Sequence, residues 1–306
     1  MRLLSIIIPV YNEADNIKPL CEEISHYVKT DYEIFFIDDG STDGTFHAIN
    51  EQSLRDHRVK CISFSRNFGH QNALMCGMEH ANGEQIILMD GDLQHPPSVI
   101  PLLLSRLDEG YDLVNTRRNK TAEIGFIKKS LAGIFYAFIN FISDVPVKPN
   151  VSDFKAFNRK VLDSVLQFKE RDLFLRGIFS WIGFRSIIIP FEAPARIHGK
   201  TKYSFNKMLL LALKGTTSFS FKPLRVALLL GSIVSLAAFS FGIYAVITYY
   251  RGNTVPGWTS LIIAVMFLGG IQLLSIGLIG EYIASLFSES KRRPLYLVKD
   301  VINTVI

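Results

Sequence analysis

Residues 85–97 read QIILMDGDLQHPP: an apolar run, two carboxylates one residue apart at Asp90 and Asp92, an amide at Gln94 and a double proline. From Gln85 to Met89 nothing alternates between polar and apolar, which predicts a strand buried on both faces, as parallel sheets contain. The acids then lie where the chain leaves the sheet. Outward from this stretch the pattern repeats, with Leu3–Val10, Glu33–Asp38, Lys60–Ser65 and Asp112–Thr116 as further strand candidates. Between the first two, Ile17, Leu20, Cys21, Ile24 and Val28 recur at helical spacing, and Asn12 with Asp15 suits a helix start. Strands alternating with helices predict an α/β fold with a mostly parallel, Rossmann-like sheet whose ligand crevice lies at the carboxyl ends of the strands. Tyr11-Asn12-Glu13, Asp38-Asp39-Gly40-Ser41, Arg66-Asn67, Asp90-Gly91-Asp92 and Arg117-Arg118 follow the candidate strands in turn, so all are expected at one crevice.

The 306 residues exceed what a single core usually needs. A hydrophobic content of 48% and a mean hydropathy of +0.23 are high for a soluble enzyme, and the excess follows Pro223. Val226–Tyr250 and Trp258–Gly280 contain no charge, and at ~1.5 Å per residue each is long enough for a ~30 Å hydrocarbon core. They are expected to form a transmembrane hairpin. Lys214, Lys222 and Arg225 precede it and Lys291-Arg292-Arg293 follow, while the connector holds Arg251 alone, which predicts cytoplasmic ends and a cytoplasmic catalytic domain. Ile124–Ile142 and Tyr203–Phe219 are basic and amphipathic, and are expected to lie as helices in the membrane interface. The expected division is residues 1–200 as catalytic domain, 201–223 as interfacial helix, 224–285 as hairpin and 286–306 as cytoplasmic tail.

Several function classes are disfavoured. The net charge of +5 comes from clusters suited to phosphates or an anionic membrane surface, and no compact nucleic-acid-binding signature is present. Cys21, Cys61 and Cys76 stand alone, without disulfide or zinc-finger spacing, and fit a reducing compartment. The apolar run from Leu3 carries Pro9 and reads as a strand rather than a signal peptide. Pro-Val-Tyr-Asn-Glu follows the first strand where a dinucleotide site would have its glycines, and there is no phosphate-binding G-x-x-x-x-G-K-[ST] loop. Asp90, Asp92 and Gln94 instead offer hard oxygen ligands to Mg2+ or Mn2+, an ion that keeps positions open for phosphate oxygens. Asp38 and Asp39 suit hydrogen bonds from a base nitrogen and ribose hydroxyls. His70 and His95 lack partners at metal-ligand spacing and read as structural.

The stretches SIIIPVYNE, DDGSTDGT, SRNFGHQNAL, MDGDLQHPP and RIHGKTKYSF, in this order, resemble family 2 glycosyltransferases of the GT-A fold. More narrowly the chain is similar to bacterial polyprenyl-phosphate glycosyltransferases, relatives of dolichol-phosphate mannose synthase and of bactoprenol glucosyltransferases. The resemblance implies that Pro9, Tyr11, Glu13, Asp38, Asp39 and Asp90 hold the nucleotide, and that Asp90, Asp92 and Gln94 hold the metal on its diphosphate. It implies that Arg117, Lys128, Lys129, Arg196, Lys202 and Tyr203 face the lipid phosphate, and that Asp153 lies near the reacting sugar carbon, with Asp153 and Asp92 as the catalytic pair. Thr201 replaces the serine usual in the family's R-x-x-G-x-S-K-Y loop and keeps its hydroxyl. From the residues alone, Asp153 also reads as a helix start before Phe154–Leu166.

The implied activity is inverting transfer of one sugar, from UDP-glucose as the leading donor, to undecaprenyl phosphate in the bacterial inner membrane, for modification of surface polysaccharide. A homo-oligomer, a tetramer, is implied as well. Two other classes stay open at this point: a phosphoglycosyl transferase making a lipid diphosphate, and a membrane partner that binds nucleotide-sugars without turnover.

Overall fold

The computed structural model describes residues 3–119, 151–171, 173–192, 222–251 and 257–304. The two expected amphipathic helices lie outside the described residues, as do Lys128, Lys129, Arg196, Lys202 and Tyr203.

The first 118 residues follow the alternation expected: β1 (Leu4–Val10), α1 (Ala14–Tyr27), β2 (Tyr32–Asp38), α2 (Thr45–Arg55), β3 (Val59–Phe64), α3 (His70–His80), β4 (Gln85–Leu88), α4 (Ile100–Asp108) and β5 (Leu113–Arg118). Every residue of β1, β2 and β4 is buried, which is why their sequences show no polar face. Helix α1 packs Ile17, Leu20 and Ile24 into the cluster that holds Ile6, Ile8 and Phe36 of the sheet. Completely burying each such side chain stabilises the fold by ~1.5–3 kcal/mol.

The remaining elements of this unit are β6 (Val151–Asn158), α5 (Arg159–Val165), α6 (Leu175–Trp181), β7 (Ser186–Phe191) and, at the far end of the chain, β8 (Val298–Ile302). The sheet runs β7-β5-β6-β4-β1-β2-β3-β8. Strands β1 to β5 and β7 share one direction, while β6 and β8 run against their neighbours. Because β6 is inserted antiparallel between β4 and β5, its amino end meets their carboxyl ends. Lys155 pairs with Leu88 on one side and Asn115 on the other, which brings Asp153 to the crevice. The reading of Asp153 as a helix start is corrected: it lies in a strand, and the following helix is capped by Asn158, whose side chain accepts from the N–H of Val161 at 3.1 Å.

At the opposite, amino-terminal end of the strands, Glu33 is buried and engaged. Its Oε1 accepts from Ser5 Oγ at 2.6 Å and Asn82 N at 2.8 Å, and its Oε2 from Lys60 Nζ at 2.8 Å. Burial raises its pKa, but the bonds from Lys60, Ser5 and Asn82 outweigh it and hold the carboxyl below its ordinary value of 4.5. The stabilisation is therefore present above that value and lost as pH falls through the lower, folded one. Glu33→Ala should cost about 2–4 kcal/mol in denaturant unfolding, by stranding partly buried donors, with any ligand affinity of the crevice unchanged because the crevice lies at the other end of the strands.

A second unit is separate from the sheet unit. Its described part is α7 (Lys222–Tyr250) and α8 (Trp258–Ser290), of 29 and 33 residues. Ala227–Tyr244 and Phe267–Ser290 have mean hydropathies of 1.9 and 1.5, and both helices are long and apolar enough to cross a membrane. The second runs past Gly280, where the expected span ended. Residues 293–304, within the stretch expected as a cytoplasmic tail, belong to the sheet unit. Ser65 N donates to Leu297 O at 2.9 Å, Tyr296 stacks on Phe64 with ring centroids 4.8 Å apart, and β8 pairs with β3.

Candidate active site

Two loops interlock at the ends of β1 and β2. Asn12 takes a left-handed turn at φ 56°, its N–H donates to Ser41 Oγ at 2.9 Å, and its Oδ1 accepts from Thr42 N at 2.8 Å. The Glu13 N–H donates to Thr45 Oγ1 at 2.9 Å, and Glu13 Oε2 accepts from Asn16 Nδ2 at 2.6 Å. Asp38 accepts from Ser41 N at 2.9 Å and Ser63 Oγ at 2.8 Å. Asp39 accepts from the backbone N–H groups of Phe68 at 2.6 Å and Gly69 at 2.9 Å, so it ties the loop before α3 to the end of β2. Burial pushes the Asp39 carboxyl above its ordinary range despite those bonds. Gly40 is required here: its φ is +69°, and a Cβ would sit 2.4 Å from the backbone of Arg66. Of the residues expected to hold a nucleotide, Pro9 is buried within β1, Tyr11 stands 37% exposed at the mouth, and Asp38 and Asp39 are buried loop-builders with acceptor capacity left over.

The turn after β4 carries the acids. Asp92 Oδ1 accepts from Gln94 N at 3.1 Å, and the intervening Leu93 has φ 58°. Gln94 Oε1 accepts from Arg118 Nη1 at 3.1 Å, so the amide is engaged with a cation of β5. Among the described residues no group of three or more His, Cys, Asp or Glu is placed to hold a metal alone. Two carboxylates on one turn fit an ion that takes its other ligands from a diphosphate and water.

His95 locks this turn. Its Nδ1 accepts from Asp90 N at 2.8 Å, so the ring proton is assigned to Nε2, which lies 2.8 Å from Ser152 Oγ and 3.6 Å from Asp90 Oδ2. The ring is 6% exposed and stacks on Phe154 at 5.0 Å. His70 Nε2, at the start of α3, lies 3.5 Å from Asp90 Oδ1. The sequence reading of His95 as structural agrees with this role, but its partners, a main-chain N–H and a serine 57 positions away, were not visible there. Its place directly after the D-x-D-x-Q run was the available signal. His95→Phe keeps the stack, removes both nitrogens and leaves the Asp90 N–H without its acceptor. A cost of ~1–3 kcal/mol on the turn should appear as about a 10-fold loss of Mn2+ affinity by titration, while His95→Gln retains part of it.

On the other face of β6, Asp153 receives a fork from Arg176 of α6: Nε to Oδ1 at 2.9 Å and Nη2 to Oδ2 at 2.7 Å. Burial alone raises the Asp153 carboxyl, yet the Arg176 bonds and charge dominate and hold it well below the usual carboxylate range. Lys155 is 2% exposed, with Nζ 4.3 Å from the centre of the Phe179 ring. Burial lowers it to about 8 against the opposing pull of Asp153. Arg117 and Arg118 are exposed at the end of β5. The structure thus brings Asp90, Asp92, Gln94, Asp153 and Arg118 to the ends of the three adjoining strands β4, β6 and β5, with Arg117 beside them and Arg176 added to the set.

Residues 5–166 match the model of glycosyl transferase family 2, and residues 222–286 match the GtrB C-terminal hairpin. The prophage bactoprenol glucosyl transferase homolog of Escherichia coli (strain K12) is 39% identical over 97% of this chain and 99% of its own length. The bactoprenol glucosyl transferase of Shigella phage SfV is 38% identical over 97% and 98%. Among solved structures, glucosyl-3-phosphoglycerate synthase from Mycobacterium tuberculosis in complex with Mn2+, UDP and phosphoglyceric acid is 20% identical, with a TM-score of 0.49 over 71% of this chain and 76% of that one.

Proposed function

Because this chain belongs to glycosyl transferase family 2 and carries the GtrB-type hairpin, we propose that it moves glucose from UDP-glucose to undecaprenyl phosphate, with inversion, at the cytoplasmic face of a bacterial inner membrane. The observation that carries this reading is near full-length similarity to bactoprenol glucosyl transferases in a chain whose acidic crevice and apolar hairpin both match. A lipid phosphate is the acceptor that needs both.

In the reaction, the bond from the sugar's anomeric carbon to UDP breaks as a bond to the lipid phosphate oxygen forms, and UDP leaves with the electron pair. The acceptor phosphate loses its last proton near pH 6, by analogy with phosphorylated side chains, so no strong base is needed. Asp90 and Asp92 would hold Mg2+ or Mn2+, which when bound neutralises charge on the leaving diphosphate. Arg117 and Arg118 supply positive charge where the acceptor phosphate approaches, and Arg118 also fixes Gln94. Lys128, Lys129, Arg196, Lys202 and Tyr203 complete the acceptor side of this reading. Tyr11, Asp38 and Asp39 border the nucleotide.

Two facts support a hairpin that enters and leaves the bilayer on one side. Lys222 and Arg225 flank its start and Lys291, Arg292 and Arg293 its end, and β8, beyond the hairpin, is hydrogen-bonded into the same sheet as β3, before it. The tetramer expected from the family is part of the proposal and is checked by mass photometry of the solubilised protein. The function is tested with purified protein in bilayers containing undecaprenyl phosphate and a panel of UDP-, GDP- and dTDP-sugars. Transfer from UDP-glucose, abolished by chelator, supports the reading; transfer from a different donor alone replaces the sugar.

A further inference from the structure

The sheet face that carries Asp153, Lys155 and Phe157 is covered by α6. Phe179 packs on Phe157 at 5.1 Å and against the Lys155 ammonium, and Arg176, three residues earlier on the helix, reaches Asp153. The start of α6 is in turn held by α3, where Gln71 Oε1 accepts from Leu175 N at 3.1 Å. The neighbouring His70 faces Asp90. One continuous set of contacts therefore connects the first acid of the cation turn to the helix that grips Asp153. The Asp153 side chain is 15% exposed and that of Arg176 40%, so the pair borders the crevice.

A carboxylate chelated by a guanidinium is a poor proton acceptor and a weak isolated charge, but each of its oxygens keeps a lone pair in a fixed direction. That suits recognition of a hydroxyl better than proton removal. We propose that Arg176 is a positioning residue for the sugar: it fixes both Asp153 oxygens so that the carboxylate accepts hydrogen bonds from hydroxyls of the transferred hexose. Lys155 and the Phe179 ring back the pair from below. The proposal rests on the glycosyl-transfer reading for its ligand, and on the Asp153–Arg176 geometry for the role.

The test uses the full chain in bilayer discs with Mn2+, comparing wild type with Arg176→Lys, Arg176→Gln, Asp153→Asn and the Arg176→Gln/Asp153→Asn double variant. Equilibrium affinities for UDP and for UDP-glucose are measured beside steady-state turnover, with thermal unfolding to confirm that each variant is folded. Affinity for UDP should stay within about 2-fold, while affinity for UDP-glucose relative to UDP falls about 10-fold in Arg176→Gln and Asp153→Asn, as expected for a lost hydrogen bond to a charged acceptor. The double variant should lose no more than either single one, and Arg176→Lys should recover part of the loss. An unchanged affinity ratio in Arg176→Gln, or losses that add in the double variant, would overturn the role. Should Arg176→Gln fail to fold, Arg176→Lys and Asp153→Asn score the same ratio. Wild-type protein that binds UDP-glucose but transfers nothing to lipid would refute the proposed function, while the affinity ratios would still decide the role of Arg176.

Discussion

Asp92→Asn is expected to lower turnover by about 10²–10³-fold and to abolish the Mn2+ dependence of nucleotide binding, with little change in unfolding temperature. The physical reason lies in the turn. Asp92 uses one oxygen to accept the Gln94 N–H at 3.1 Å, a bond that an asparagine Oδ1 can replace, so the turn should persist. What asparagine cannot replace is the second negative charge beside Asp90, and a divalent ion on a diphosphate needs that charge to be held against water. Titration of Mn2+ and UDP together, before and after substitution, separates loss of the ion from loss of the nucleotide. A variant that keeps Mn2+-dependent binding and wild-type turnover would show that the ion is held elsewhere.

The second large effect concerns the chain beyond the crevice. Excising residues 222–291 and bridging the gap with a flexible Gly/Ser linker should leave nucleotide binding intact and remove turnover on bilayer-embedded acceptor. Simple truncation before the hairpin should behave differently. It also deletes β8, whose residues pair with Cys61 to Phe64, together with Tyr296, which stacks on Phe64, and Asn303, whose Nδ2 donates to Val59 O at 3.0 Å. Losing one aromatic pair and several backbone bonds should cost about 4 kcal/mol or more, and it bares the edge of β3 for pairing between chains. The truncated form is therefore expected to aggregate while the excised form stays soluble, which light scattering and denaturant unfolding distinguish. Equal behaviour of the two forms would remove β8 from the account, and undiminished turnover of the excised form on bilayers would remove the hairpin.

How much of this was legible in the sequence depended on how far apart the cooperating residues lie. Strands β1 to β5 were bounded to within two residues because each is built on a short run rich in buried apolar residues and is followed by a polar turn. Strand β6 was hidden: Asp153 and Lys155 interrupt its apolar pattern, and their burial makes sense only once Arg176 and Phe179 of α6 cover them. Asp90, Asp92 and Gln94 stood out as a local motif, but the part of Gln94 as acceptor for Arg118 required β5 to be laid beside the turn. His95 was read as structural, but its partner Ser152, 57 positions away, was hidden for the same reason. Strand β8 was read as a tail because five residues after a hairpin carry no periodicity that names their partner, and that partner, β3, lies more than two hundred residues earlier.

The measurement that bears most directly on the central claim is the mass of the lipid product formed from UDP-glucose labelled in both the glucose and the β-phosphate. The expected product is undecaprenyl phosphate carrying the glucose label only, with the labelled phosphate released as UDP. A product that carries both labels, with UMP released, would contradict it and make the chain a phosphoglycosyl transferase.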